Sequence, residues 1–266
     1  EIPKDSGGVR LLGIPTAVDR VIQQAVVQVL TPVFEPTFSN SSFGFRPNRS
    51  AEDAVRLVQT YMSEGYRHVV DLDISKFFDT VDHDILMGLI DKHMEDKDIR
   101  RLIFVFLKSG VMTNGSMMAT ALGTPQGGPL SPLLSNIYLT PYDKELERRG
   151  LRFVRYADDC NIFTKSKMSS YRVRDNAKRF LERKLKLQVN MEKTEARRAN
   201  GSSFLGFTFI GKKGKGPHCI SIPQAKKLKK LEDRIRLLTK RNRGVSVGTV
   251  IAQLNKMLRG WIGYFA

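Results

Sequence analysis

The sequence predicts an α+β fold. Short runs rich in β-branched and aromatic residues end at Gly, Pro or Asp turns and pair naturally as antiparallel hairpins. Amphipathic stretches of helical period lie between them, with no repeating strand–helix–strand unit that would signal a parallel sheet. No internal repeat or low-complexity tract interrupts the pattern.

In chain order, Gly7-Gly8 predicts a hairpin turn between Ile2-Pro3-Lys4 and Val9-Arg10-Leu11-Leu12. Thr16 or Asp19 can start a helix through Leu30, with Ile22, Val26, Val27 and Leu30 on one face and Pro32 and Pro36 ending it. Ser50-Ala51-Glu52-Asp53 has the acids of a helix N-terminus. His68 to Ile74 reads as a short strand with an acidic end, and Asp82 as the cap of a helix carrying Ile85, Leu86, Leu89 and Ile90. Gly123 to Pro132 is a shaped loop leading into a helix over Leu133 to Leu139. Arg152 to Tyr156 and Cys160 to Thr164 are strands around the turn Ala157-Asp158-Asp159. Residues 171–187 read as a basic helix, Phe204 to Ile210 as a strand, and Gly211 to Gly216 as a turn. Residues 223–241 and 246–259 read as two further helices, the first strongly basic.

The 266 residues, 41% of them hydrophobic, suffice for one large domain or two of ordinary size. No apolar run approaches the roughly 18–20 residues that cross a bilayer, and Glu1 to Arg10 is unlike a signal peptide. Cys160 and Cys219 lie far apart without CxxC spacing, which points to reduced thiols in a cytosolic protein rather than a zinc site. The chain does not begin with Met and reads as a fragment of something longer. Its net charge of +17 is unevenly spread. Residues 1–164 hold 18 Lys+Arg against 21 Asp+Glu, whereas residues 165–266 hold 26 against 6. A surplus of 20 positive charges in the last third attracts a polyanion by counterion release, and nothing there has the bulky aromatic amphipathicity of a membrane-facing helix.

The chemistry rests on three acids. Asp73 ends a strand, and Asp158 and Asp159 stand side by side at a hairpin tip. Alone, each is an ordinary polar loop residue. Together they suit divalent ions, because a hard cation relieves the repulsion of neighbouring carboxylates and a pair of ions serves phosphoryl transfer.

Tyr156-Ala157-Asp158-Asp159 resembles the YxDD box of reverse transcriptases, and Asp71-Leu72-Asp73-Ile74-Ser75-Lys76-Phe77-Phe78-Asp79 resembles their first acidic motif. Gly123-Thr124-Pro125-Gln126-Gly127-Gly128-Pro129-Leu130-Ser131-Pro132 is similar to their PQG…SP block. Phe43-Gly44-Phe45-Arg46-Pro47, Leu187 to Thr194 and Phe204-Leu205-Gly206-Phe207 match further blocks in family order, and Arg259-Gly260-Trp261-Ile262-Gly263-Tyr264-Phe265 resembles the tail signature of group II intron-encoded proteins. The resemblance implies right-hand polymerase fingers and palm with an antiparallel palm sheet over residues 1–222. Residues 223–266 would be a basic helical segment that starts the thumb or maturase region.

The same resemblance implies an RNA-directed DNA polymerase that adds deoxynucleoside triphosphates to a primer on an RNA or DNA template. It also implies binding of group II intron RNA to assist splicing and mobility, in the bacterial cytoplasm. Asp73, Asp158, Asp159 and the Ile74 carbonyl would hold two Mg²⁺ ions, with Mn²⁺ as a substitute. Lys193 would be the general acid for pyrophosphate. Lys4, Arg10, Ile74, Phe78 and Gln126 would form the nucleotide site, with Phe78 excluding a 2′-hydroxyl. Arg46, Arg49, Gly206, Phe207, Lys226, Lys227, Lys229 and Lys230 would contact nucleic acid. His68 and His83 are assigned structural roles. A homodimer is left open. Relative to the family, an N-terminal extension, most of the thumb and any DNA-binding or endonuclease domain are expected to be missing. Two other readings stand beside this one: an RNA-dependent RNA polymerase, disfavoured by Phe78 and by alanine before the paired aspartates, and an RNA-binding splicing maturase with little polymerase activity.

Overall fold

The computed structural model describes residues 2–3, 9–10, 13–109, 111–113, 116–118, 122–124, 127–211 and 219–265, without the side chains of 2–3, 9–10, 111–113 and 116–118. Strands β1 (Ile2–Pro3) and β2 (Val9–Arg10) pair antiparallel, as the Gly7-Gly8 turn predicts, although that turn lies outside the described residues. Helix α1 (Ala17–Phe34) starts at Thr16, whose hydroxyl accepts the Asp19 N–H at 3.1 Å. It does not stop at Leu30 as expected. Pro32 falls in the last turn, where its missing N–H removes one helix bond, and the helix closes with the Glu35 N–H donating to Thr31. Its inward face is Gln23, Val26, Leu30 and Phe34, while Ile22 is exposed.

Helix α2 (Ala51–Ser63) has the expected N-terminus, a reciprocal capping box between Ser50 and Asp53. Strand β3 (His68–Leu72) leads into the short α3 (Phe77–Thr80) and then α4 (His83–Ile90), capped by Asp82 at 3.0 Å to the Ile85 N–H. Helix α5 (Lys97–Lys108) and strands β4 (Val111–Thr113) and β5 (Ser116–Met118) follow. Helix α6 (Ser131–Arg148) runs well past the expected Leu139 and passes through Pro141. Strands β6 (Arg152–Tyr156) and β7 (Asp159–Thr164) form the predicted hairpin, and α7 (Lys167–Lys184) begins earlier than predicted.

Strand β8 (Glu195–Arg198) has Ala196 as its one apolar residue, so no alternation announced it. The single strand expected over Phe204 to Ile210 is two, β9 (Ser203–Phe204) and β10 (Phe207–Gly211), joined by Leu205-Gly206 with φ of 51° and 84°. Positive φ at both central residues makes this a two-residue hairpin of the primed type, which reverses the chain at once. Strand β11 (Cys219–Pro223), helix α8 (Ala225–Leu238) and helix α9 (Val247–Phe265) complete the chain.

The central antiparallel sheet has the order β6-β7-β3-β8, the palm sheet the motifs imply. Alternation along the strands sends Val70, Leu72, Phe153, Cys160 and Ile162 to one face, against α1, α4, α6 and α7. Val69, Val154 and Phe163 go to the other, against α2 and the β11-β10-β9 sheet. Both cysteines are buried and free. Among the described residues no helix is long and apolar enough to cross a membrane.

Candidate active site

The register of the central sheet assembles the acids. Asp71 pairs with Asn161 and Leu72 with Cys160, so one further step sets Asp73 beside Asp159 on the same face as Asp71. Tyr156 pairs directly with Asp159, leaving Ala157 and Asp158 as a two-residue turn in which Ala157 has φ 58°. Asp73, just past the end of β3, is fixed by its neighbours. Its N–H donates to the Thr194 hydroxyl at 3.2 Å and its carbonyl accepts the Asn190 N–H at 2.9 Å. That bond and the Ser75 N–H to Gln188 carbonyl flank the Ile74–Val189 bridge and leave the Ile74 carbonyl outside this ladder.

The cleft is strongly acidic. Partial burial, then the charges of Asp158, Asp71 and Asp73, push the Asp159 carboxyl up to about 6. Burial also raises Asp71, opposed by Arg197, whose guanidinium lies 2.9 Å away. Asp71 is thus paired with a cation, and the charges of Asp158, Asp71 and Asp73 all act on the Asp159 carboxyl. Carboxylate oxygens are the donor chemistry that a hard divalent cation takes. Among the described residues no group of three or more His, Cys, Asp or Glu side chains is placed to hold a metal ion by itself.

The hairpin tip rests on residues that the sequence reading missed. Arg155 is 1% exposed and forms a two-bond ion pair with Asp143 of α6, Nε to Oδ1 at 2.8 Å and Nη2 to Oδ2 at 2.6 Å. Its Nη1 donates to the Asn136 Oδ1 at 3.0 Å and to the Ala157 carbonyl at 2.8 Å, inside the turn itself. The Asn136 amide donates to the Gly44 carbonyl at 2.9 Å, and the Arg155 and Phe43 backbones bond the Ser41–Phe43 segment to β6. A Cβ on Gly44 would fall on the Ala157 nitrogen, so glycine alone permits this contact. The available signal was Arg155 itself, a cation within the otherwise apolar run Phe153-Val154.

Arg46 requires a correction. Its side chain is 4% exposed, with Nε and Nη2 on Glu35 and Nη1 on the Ser39 and Ser42 carbonyls. It pins the loop that carries Gly44 and presents no face to a phosphate. Arg49 is half-buried against Phe43 and bonded to Asn40. Phe207 is buried beneath Tyr264 and Phe265, with ring centroids 5.7 and 5.1 Å away, so its ring cannot touch a primer in this arrangement and only the hairpin backbone could. A Cβ on Gly206 would lie 3.4 Å from the Phe265 ring.

Phe78 is half-buried, edge-on to Phe77 at 5.2 Å, and its carbonyl accepts the Thr124 N–H at 2.6 Å, which ties the Gly-rich loop to the first acidic motif. His83 reinforces that tie through Nε2 to the Gly123 carbonyl at 2.7 Å. Lys193 is exposed on the turn that Asn190 organises next to Asp73. On α8, Lys226, Lys229 and Lys230 are exposed on one face, and half-buried Lys227 leans over Gly206. Lys4 and Gln126 lie outside the described residues, as does the side chain of Arg10.

The reverse transcriptase (RNA-dependent DNA polymerase) family matches residues 2–209, and the group II intron maturase-specific domain matches residues 228–266. Over 253 residues the chain is 33% identical to protein YkfC of Escherichia coli K12, an alignment covering 80% of this chain and 66% of that protein. Over 152 residues it is 43% identical to group II intron-encoded protein LtrA of Lactococcus lactis subsp. cremoris, covering 57% of this chain and 25% of LtrA. The chain thus spans about two thirds of one relative's length and a quarter of the other's. Among solved structures, a truncated apo telomerase from Candida tropicalis superposes with a TM-score of 0.56 at 15% identity, over 72% of this chain and 44% of that one. That likeness shows a shared fold.

Proposed function

The chain belongs to the reverse transcriptase family, and from that membership we propose that it is the RNA-directed DNA polymerase of a group II intron. The observation that carries the reading is the antiparallel register that brings Asp73 beside Asp159 at the tip next to Asp158. In this proposal Asp73, Asp158, Asp159 and the Ile74 carbonyl hold two Mg²⁺ ions, for which Mn²⁺ can substitute. Divalent ions there would neutralise charge developing on the α-phosphate and lower the pKa of the attacking primer hydroxyl.

The remaining roles are positional. Lys4 and Arg10 bind the incoming triphosphate, Gln126 packs over its sugar and base, and Phe78 lies where a 2′-hydroxyl would clash. Lys193 delivers a proton to the departing pyrophosphate. The Leu205-Gly206 turn orients the primer end through its backbone. Arg49 and the lysines of α8 hold phosphates without reading bases. Residues 1–222 are the fingers and palm, and residues 223–266 begin the thumb.

A second activity is favoured by the match of residues 228–266 to the maturase-specific domain and by the positive charge of the last third. We propose that the protein also binds intron RNA in the cytoplasm and assists its splicing. Primer extension on an RNA template tests the first reading. Asp73→Asn and Asp158→Asn should each reduce extension to background while leaving RNA binding and folding intact. Substantial extension by either variant removes the polymerase assignment, whereas RNA binding without extension by the wild type leaves the maturase alone.

A further inference from the structure

The central sheet has a second end, away from the carboxylates. Opposite the carboxylates, His68 opens β3 and pairs with Thr164, the last residue of β7, and with Arg198, the last of β8. Three cations therefore leave the sheet at one level: Arg67 before β3, Lys165 after β7 and Arg198 on β8. With Tyr66, Asn200 and Gly211 they line an open cavity of about 420 Å³. Two backbone N–H groups tie its walls. The Ala199 N–H donates to the Arg67 carbonyl at 2.9 Å, and the Gly211 N–H to the Asn200 Oδ1 at 2.8 Å. The second bond leaves the Asn200 amide N–H groups to donate elsewhere.

The charge of this cavity is unbalanced. Among the described residues no carboxylate lines it. Among the described residues Arg67, Lys165 and Arg198 form no ion pair, whereas other surface arginines of the same body are matched, Arg56 with Glu52, Arg149 with Glu145 and Arg197 with Asp71. Lys165 lies over the Tyr66 ring, its Nζ 5.4 Å from the centroid. Three like charges held around one concavity repel one another until an anion enters, and a concave basic site concentrates field on it. The donors are two guanidiniums, an ammonium, an imidazole and an amide, a set that matches phosphate oxygens.

We propose that this cavity is a binding site for the phosphodiester backbone of RNA, separate from the catalytic cleft. The ladder of β3, at about 3.3 Å per residue, sets it roughly 17 Å from the carboxylates. An RNA segment seated here does not occupy the primer terminus. The site anchors structured RNA while the opposite end of the sheet remains open to a template and primer. This rests on the reading that the chain binds RNA, and it assigns part of that binding to a surface outside α8.

The test is the triple variant Arg67→Gln, Lys165→Gln, Arg198→Gln in the full chain, with a mixed-sequence RNA stem-loop as probe. Titrations at several salt concentrations should show affinity lower by about tenfold or more and a log–log salt slope shallower by about 2 to 3. Primer extension on a short unstructured template–primer should be unchanged, which also shows that the variant folds. Wild-type affinity and slope in the triple variant, or equal loss of primer extension at saturating template–primer, would overturn the proposal. If the wild type binds the stem-loop but does not extend primers, the polymerase reading fails and this site stands. If the wild type extends primers and the triple variant binds like it, the reverse holds. A charge reversal, Arg198→Glu, repeats the comparison with one substitution and should weaken stem-loop binding alone.

Discussion

The Asp159 carboxyl titrates near 6 because burial and three neighbouring carboxylates oppose its charge, and that has a sign that experiment can read. Its folded value lies above the ordinary 3.8, so the folded state binds this proton more tightly than the unfolded chain. In chelator, stability should fall as pH rises from about 4 through about 6, and divalent ions should restore it at neutral pH. Melting curves at about pH 5 and pH 7 check this. Asp159→Asn should flatten the slope, and an unchanged slope would mean that the acid cluster does not strain the fold. Phe78 makes a different claim. Phe78→Val should raise ribonucleotide use relative to deoxynucleotide use by roughly tenfold or more in the ratio of specificity constants, since its ring is proposed to meet the 2′-hydroxyl. An unchanged ratio would reduce Phe78 to packing against Phe77. The acids were legible because they sit in contiguous stretches, Asp71 to Asp79 and Tyr156 to Asp159, whose resemblance to family motifs can be read without the fold. Arg46 was not, because its partner Glu35 and the two carbonyls it binds meet it only after the loop has folded.

Among the elements, the β6–β7 hairpin depends on α6 through one side chain. Burial opposes charge on Arg155, yet the Asp143 carboxylate overrides it and keeps the guanidinium above its usual range. Removing one partner of such a pair leaves the other buried and uncompensated, at a cost of about 3–5 kcal/mol. Arg155→Met should show that loss in the denaturant midpoint, and adding Asp143→Leu should regain much of it. Equal destabilisation by the single and double variants would show that the bonds to Asn136 and Ala157 dominate instead. Sequence patterns found most elements and misjudged their ends for physical reasons. Pro32 and Pro141 sit within helices whose packing outweighs one lost backbone bond. Leu205-Gly206 lacks the Asn or Asp that advertises a tight hairpin, and β8 owes its strand to its neighbour β3 rather than to its own residues.

Over the whole molecule, charge and fold divide differently. The acidic cleft lies in the balanced first part of the chain, and the positive surplus follows it in sequence. The exposed lysines of α8 should therefore position a duplex through its phosphates. Replacing Lys226, Lys227, Lys229 and Lys230 by Gln should lower affinity for template–primer and make the log–log salt slope shallower by up to about 3. The same slope in both proteins would mean that this face meets something other than nucleic acid.

Helix α9 buries none of its residues fully, yet its last two aromatics cover Phe207 and the Tyr264 hydroxyl bonds the Leu205 carbonyl at 2.9 Å. The signature at the end of the chain is thus also the roof of a hairpin more than fifty residues earlier. For anyone choosing where to cut a gene, this fixes a boundary. A product stopped before Tyr264 would bare an aromatic cluster of Phe207 and its neighbours, the kind of sticky surface that turns a folded enzyme into a precipitate.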